Sequence, residues 1–235
     1  MLQKEQLLQK LKYQNEQLSD YAHLVSHDLK SSIRSLSALL SWVKEDCGEK
    51  IGEEGVSNLN LMEAKIEKMD KFLEDIINYS EIGAIDLKTN TIDLNAKLIE
   101  IIEGLYIPKN IKVVIKDKLP VLKADARRMR QVFQNLINNA INFNDKEEGL
   151  VEVAVKETED FYTFSVKDNG RGIPKEYHEK IFEIFTTLGY QEKSTGMGLS
   201  IVKRVIDLYG GDIWLESEVS KETTVYFTIP KKYNK

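Results

Sequence analysis

The sequence has a single cysteine, Cys47, four prolines and three histidines in 235 residues. One thiol excludes an intrachain disulfide and suits a reducing, cytoplasmic setting. Scattered histidines and a lone cysteine give no metal-ligand spacing, which excludes a zinc site. No apolar run approaches the ~18 residues of a membrane span. The opening MLQKEQLLQK is polar and charged, unlike a signal peptide. The net charge of −5 comes without a basic block, which argues against nucleic-acid or anionic-membrane binding. Neither the phosphate loop GxxxxGK with Ser or Thr nor the protein-kinase GxGxxG is present.

What is present is 42% hydrophobic residues, arranged in two different periods. Residues 1–45 contain no Pro or Gly and read as one long helix. Val25, Leu29, Ile33, Leu36, Leu40 and Val43 step by three and four, one face of a helix. Leu7, Leu11, Leu18 and Tyr21 continue that seam backwards in a heptad-like pattern. Residues 46–55, DCGEKIGEEG, break the helix with glycines and acids. A second helix is expected over 56–80, where Leu59, Met62, Ile66, Met69, Leu73 and Ile76 repeat the same steps, with Gly83 ending it. Two such helices make an antiparallel hairpin with little core of its own. Two copies make a four-helix bundle, so a homodimer through residues 1–80 is predicted.

From residue 91 strands and helices alternate. TIDL and IKVVI read as strands, Pro120 separates IKVVI from VLKAD, and helices are expected at 95–105 and 126–143. VEVAVKE and YTFSVKD alternate like a hairpin with one buried face. A helix over 199–209 precedes two closing strands, DIWLESE and TTVYFTIP. The fold class is therefore α plus α+β: a helical hairpin, then an α/β sandwich with helices on one face of a mixed sheet. The expected divisions are a coiled-coil linker helix 1–20, a helical domain 21–82, a hinge 83–90 and a sandwich domain 91–235.

Several polar residues stand out against this frame. His27 is two positions from both Val25 and Leu29, about 200° round from each, so it points away from the seam. Gln131, Asn135 and Asn139 are spaced by four and share one helix face. DNGRGIP (168–174) follows a strand, IFEIF (181–185) pairs Phe182 with Phe185, and STGMGLSIVKRV places Gly196 and Gly198 just before a helix. Exposed N–H groups at such a helix start favour phosphate. Taken singly these are bland: a solvated histidine, a polar helix face, a turn, core phenylalanines.

Together they resemble the five motifs of two-component sensor histidine kinases, in that family's order and spacing, over residues 20–230. VSHDLKSSI matches the phosphoacceptor motif Ser-His-Asp/Glu-Leu-Arg/Lys-x-Pro-Leu/Ile at Ser26, His27, Asp28, Leu29, Lys30 and Ile33, with Ser32 where the family has proline. NLINNA and TGMGLSIVK match the asparagine and glycine motifs of the ATPase fold shared with gyrase and the MutL proteins.

The resemblance implies ATP-dependent autophosphorylation of His27 and transfer to an aspartate of a response-regulator receiver domain. It gives Asp28 the proton of the other ring nitrogen, although helical spacing does not bring i and i+1 together. It gives Ser31, at i+4 from His27, a role in phosphatase action on the regulator. Asn139 is implied as the Mg²⁺ ligand and Asn135 as its support, while Gln131 helps organise the metal or the reacting histidine. Asp168 is implied to read adenine, with Gly170 and Gly172 letting the backbone approach it. Phe143 flanks the nucleotide, and Thr195, Gly196, Gly198 and Leu199 form the phosphate end, with Lys193 in the lid between. Asn142 stands where the family has a phosphate-contacting lysine. These two departures, Ser32 and Asn142, support an alternative: an ATP-binding dimeric scaffold with little kinase activity. A mechanical ATPase of the gyrase type lacks the His-Asp-Leu motif. The opening heptad leads one to expect an input module upstream of this chain.

Overall fold

The structure is a computed structural model that describes residues 2–47, 50–82, 88–189 and 194–231; the side chains of residues 2–16, Leu18 and Cys47 lie outside the description. Two long helices open it, α1 (Leu2–Cys47) and α2 (Gly52–Ser80). Then follow β1 (Asn90–Asp93), α3 (Leu94–Glu103), β2 (Ile111–Ile115), β3 (Val121–Ala124), α4 (Ala126–Asn142), β4 (Gly149–Glu157) and β5 (Phe161–Asp168). Two 3₁₀ turns, Lys175–Tyr177 and Lys180–Phe182, lead to α5 (Gly198–Leu208), β6 (Ile213–Glu218) and β7 (Glu222–Pro230). The chain divides into two compact units. The first takes α1, α2 and the segment Thr187–Met197; the second takes β1 through Thr186, and Gly198 onward.

In the first unit, Lys44 pairs with Glu63 at 2.5 Å and Lys30 with Glu74 at 3.1 Å. As the position on α1 falls, its partner on α2 rises, which is the register of an antiparallel hairpin. The expected seam is only half covered. Ile33, Leu40, Leu59 and Leu73 are buried, whereas Leu36, Met62 and Met69 are about half exposed (49, 55 and 50%). Leu29 and Val43, also placed on the seam, are exposed as well. Two helices cover one strip of each other and leave the flanking strip open.

One boundary differs from expectation. The break between the helices is shorter than 46–55, because α2 already begins at Gly52. Glu53 and Glu54 lie in its first turn, where negative charge is stabilised by the N-terminal end of the helix dipole. At its other end α2 stops at Ser80, with Glu81 as its cap, before Gly83. That glycine and the hinge residues 83–87 lie outside the described residues, as do the side chains of the leucines in the opening heptad.

In the second unit, β1 and β3 form a two-stranded ribbon, and the main sheet has the order β2-β4-β5-β7-β6. Only β2 and β4 are parallel; the other pairs are antiparallel. The cross-strand partners Phe164↔Phe227 and Val166↔Val225 put one apolar row on a single face. Against it lies α4, whose Met129, Val132, Phe133, Leu136, Ile137, Ala140 and Ile141 are all buried. Phe133 meets Phe164 edge-on at 5.8 Å and Phe227 at 5.6 Å, while Phe164 and Phe227 stack at 5.0 Å. The expected α plus α+β architecture is therefore what the chain adopts.

Phe133, Phe164 and Phe227 are each no more than 1% exposed. Phe133→Ala is expected to destabilise the second unit by about 3–5 kcal/mol through lost burial and an unfilled cavity. Urea unfolding followed by tryptophan fluorescence checks it.

Candidate functional site

His27 and its neighbours show how one helix turn sorts them. Ser26 is 2% exposed, while the His27 side chain is 72% exposed. His27 Nδ1 stands 3.3 Å from Asp28 Oδ1, so rotamers bring together two residues that backbone spacing keeps apart. An ionised carboxylate only accepts, so the bond requires the proton on Nδ1. The neutral imidazole then carries its lone pair on Nε2, directed away from Asp28. Ser31 is exposed one turn on, and its carbonyl accepts from Ser35 Oγ at 3.1 Å. Ser32, in the place of the usual proline, donates from Oγ to the carbonyl of Asp28 at 3.3 Å. A proline there would have no N–H for the helical ladder; with serine, α1 runs unbroken through residue 32.

The amide face of α4 begins with a cap. Asp125 Oδ1 accepts from the N–H groups of Arg127 and Arg128, and the Asp125 N–H donates to the buried Tyr209 hydroxyl at 2.8 Å. This satisfies donors that an uncapped first turn would leave open. Asn135 Nδ2 donates to the Gln131 carbonyl at 2.8 Å. That bond consumes the nitrogen end of the amide and leaves Oδ1 facing outward. A Cβ on Gly198 would lie 3.1 Å from that oxygen and 3.8 Å from Asn139 Nδ2. Glycine therefore lets the first turn of α5 come close to the asparagines, where its N–H groups favour an anion. Asn142 is exposed at the last turn of α4, and Phe143 caps it, half-buried. Leu199 follows Gly198 inside α5 and is half-buried.

Asp168 ends β5 on the face that carries Phe164 and Val166, four and two residues earlier. Burial there pushes its carboxyl up from 3.8 to about 6, against the hydrogen bond it accepts from Gly170 N–H at 2.9 Å. Asp145 and Glu222 add smaller repulsions in the same direction. A Cβ on Gly170 would meet Asp168 Oδ1 at 2.7 Å and the Phe143 carbonyl at 2.9 Å, so only glycine fits. A Cβ on Gly172, at φ +70°, would press still closer on the Glu218 carbonyl.

Sequence reasoning missed the residues that hold this corner together. Asn169 Oδ1 accepts from Asn144 Nδ2 at 2.9 Å and Leu150 N–H at 2.7 Å, while its Nδ2 donates to the Glu148 carbonyl at 2.9 Å. Arg171 Nε donates to the Phe143 carbonyl at 3.3 Å. Only their place inside the DNGR motif could have drawn attention to them. The phenylalanine pair also divides differently from plain core. Ile181 is the buried member of IFEIF, Phe182 is half-buried, and Phe185 is 58% exposed at φ +65°.

Thr195, expected at the phosphate end, donates its hydroxyl to Asp75 of α2 at 2.6 Å, within the first unit. Burial raises the Asp75 carboxyl pKa, partly offset by that bond. Gly196, beside it, has φ +72°, and Met197 N–H reaches back to Thr195 Oγ1 at 3.4 Å. Lys193 lies outside the described residues. Among the described residues no group of three or more His, Cys, Asp or Glu could hold a metal, and no helix is long and apolar enough to cross a membrane.

Residues 124–233 match the family of histidine kinase-, DNA gyrase B- and HSP90-like ATPases. Cyanobacterial phytochrome B of Nostoc sp. is 32% identical over 95% of this chain and 31% of its own length. The adaptive-response sensory kinase SasA of Prochlorococcus marinus is 28% identical over 97% of this chain and 65% of its own. The chain thus spans about a third of the phytochrome relatives it matches. Among solved structures, full-length ShkA with AMPPNP superposes at TM-score 0.67 and 23% identity over 90% of this chain and 45% of that one. The catalytic domain of histidine kinase ThkA does so at 0.52 and 30% identity over 61% of this chain and 96% of that one.

The raised Asp168 carboxyl has a sign. Its folded pKa, about 6, lies above its unfolded value of 3.8, so its contribution to stability is fully present below about pH 4 and lost as pH rises through 6. Asp168→Asn keeps an acceptor for Gly170 N–H and removes the buried charge. It is expected to stabilise the fold by about 1–2 kcal/mol at pH 7 and by nothing near pH 4. Denaturant midpoints at the two pH values check this.

Proposed function

We propose that this chain, which belongs to the sensor histidine kinases and carries their catalytic core, takes the γ-phosphoryl group of ATP onto His27 and passes it to an aspartate of a response-regulator receiver domain. The observation that carries the reading is the His27–Asp28 contact. With Nδ1–H held by a carboxylate, Nε2 of the neutral imidazole is the lone-pair nucleophile. As Nε2 bonds to phosphorus, the bond from phosphorus to the departing ADP oxygen breaks. The Nδ1 proton shifts toward Asp28, which keeps positive charge off the ring.

The remaining work is positioning and charge neutralisation. In this reading residues 1–20 are a linker helix, 21–82 the dimerisation and phosphoacceptor domain, 83–90 a hinge and 91–235 the ATP-binding domain. Asp168 accepts from the exocyclic amino group of adenine, a contact that only its charged form makes well. Gly170 and Gly172 let the backbone lie close beside it, and Phe143 covers the base. Thr195, Gly196, Gly198 and Leu199 supply the N–H groups at the α5 start to the phosphates. Asn139, with the outward oxygen of Asn135 beside it, would hold Mg²⁺, a hard cation suited to neutral oxygen donors. That ion supplies neutralisation of phosphate charge. Ser31 sits one turn from His27, where it can align a water against a phosphorylated regulator.

The exposed row on α1 and α2 supports a homodimer through residues 1–80. Leu36, Leu39, Val43, Leu61 and Met62 are each between 42 and 55% exposed, an apolar strip that a second hairpin could cover. A second copy of the hairpin closes it into a four-helix bundle. Leu36→Asp together with Met62→Asp is expected to halve the mass measured by light scattering.

Asn142 favours a second reading, a nucleotide-binding scaffold, because asparagine brings no charge to the phosphates. Incubation with γ-labelled ATP and Mg²⁺ separates the two. Acid-labile, alkali-stable label that disappears in His27→Ala is the expected result. Nucleotide binding without label would establish the scaffold, and label gained in Asn142→Lys would locate the defect.

A further inference from the structure

Arg128 is an arginine inside the second unit, only 3% exposed, on the same face of α4 as the amides. It lies three residues before Gln131, so it extends the row formed by Gln131, Asn135 and Asn139 by one step toward the helix start. Its backbone N–H is held by Asp125 Oδ1 at 3.2 Å. Its Nη1 donates to Gln131 Oε1 at 3.2 Å.

That contact decides which way the Gln131 amide points. A guanidinium carries five donors and no acceptor. The amide atom facing it must therefore be the oxygen, since turning the amide over would set N–H against N–H. The choice between oxygen and nitrogen, ordinarily assigned from surroundings, is fixed here by the chemistry of the partner. With the oxygen turned to Arg128, the NH₂ group is the end of the Gln131 amide left to donate. Its oxygen is committed, and a cation drawn to that oxygen would meet the guanidinium charge. Next along the helix, Asn135 is turned the other way, with its nitrogen committed to the Gln131 carbonyl. Neighbouring amides on one face thus present opposite ends: a donor at 131 and an acceptor at 135.

We propose that Arg128 is a positioning residue for phosphoryl transfer, holding Gln131 as an N–H donor to an oxygen of the phosphoryl group in transit. This rests on the histidine-kinase reading above. Gln131 is then neither a metal ligand nor a proton acceptor in this chain, and its polarity is set by a residue that touches neither substrate. A fixed donor aimed at developing negative charge accelerates transfer because it needs no reorganisation during the reaction.

The test is a double-mutant cycle on the full chain, reading the maximal rate of His27 labelling and, separately, the affinity for a fluorescent ATP analogue. Arg128→Gln is expected to lower the maximal rate about tenfold, as loss of one oriented donor does, with affinity changed less than about twofold. In a Gln131→Met background, where no amide remains to orient, the same change is expected to matter less than about twofold. Equal losses in both backgrounds, or a loss of nucleotide affinity, overturn the proposal.

Removing a buried arginine can also unfold the unit, so Gln131→Glu supplies the second arm. That carboxylate keeps a partner for Arg128 and replaces the donor by an acceptor oxygen that carries negative charge. Labelling slowed about tenfold in a protein that melts like the wild type is expected. Labelling as fast as wild type overturns the donor role. If the wild type labels and the cycle is multiplicative, only this inference fails. If the wild type does not label at His27, the kinase reading fails and takes this one with it.

Discussion

Burial of one side of α4 against the central sheet is the interaction on which the site depends. A helix turns by about 100° per residue, so fixing its apolar side fixes the direction of every polar residue it carries. Phe133, set edge-on against the stacked pair Phe164 and Phe227, sets that rotation. Gln131, Asn135 and Asn139 then have nowhere to point but outward, and the Asp125 cap with the buried Tyr209 hydroxyl stops the helix start from sliding. The same face of the sheet accounts for Asp168. Two residues beyond Val166 on β5, it inherits a position meant for a hydrophobic side chain, and its carboxyl is hard to ionise for that reason.

Much of this was legible in the sequence because it is periodic. The amides four residues apart, the alternating strands β4 and β5 and the three-four steps of the two long helices are local patterns, and local patterns survive without coordinates. What was not legible depends on rotamers or on distant partners. Backbone geometry says that His27 and Asp28 diverge; only their side-chain torsions bring them to 3.3 Å. Arg128 looks like any surface arginine in the first turn of a helix, and nothing near it in sequence announces that it is covered. Asn169 holds a loop that begins 25 residues earlier, a relation no window of sequence contains. α2 starts earlier than the run of glycines and glutamates suggests, because acids that favour turns are also favoured in a first helical turn.

The two units solve different problems with the same means. In the second, apolar rows close on each other within one chain and leave a polar edge for chemistry. In the first, α1 and α2 cover only one strip of each other, and the surplus apolar strip becomes an argument about partners. The histidine stands on the polar side of that hairpin, so the packing of the bundle and the reactivity of the imidazole are separated by the width of one helix.

The order of the strands carries one more implication, for how the protein is made. β7 lies inside the sheet, between β5 and β6, although it comes last of the seven in sequence. Until residues 222–230 have left the ribosome, β5 is an unpaired edge beside a bare Phe164, and β6 has no neighbour at all. The second unit therefore has to mature after translation of nearly the whole described chain, holding a sticky half-sheet in the meantime. Synthesis halted just before β7 leaves an aggregation-prone intermediate in place of a shortened second unit.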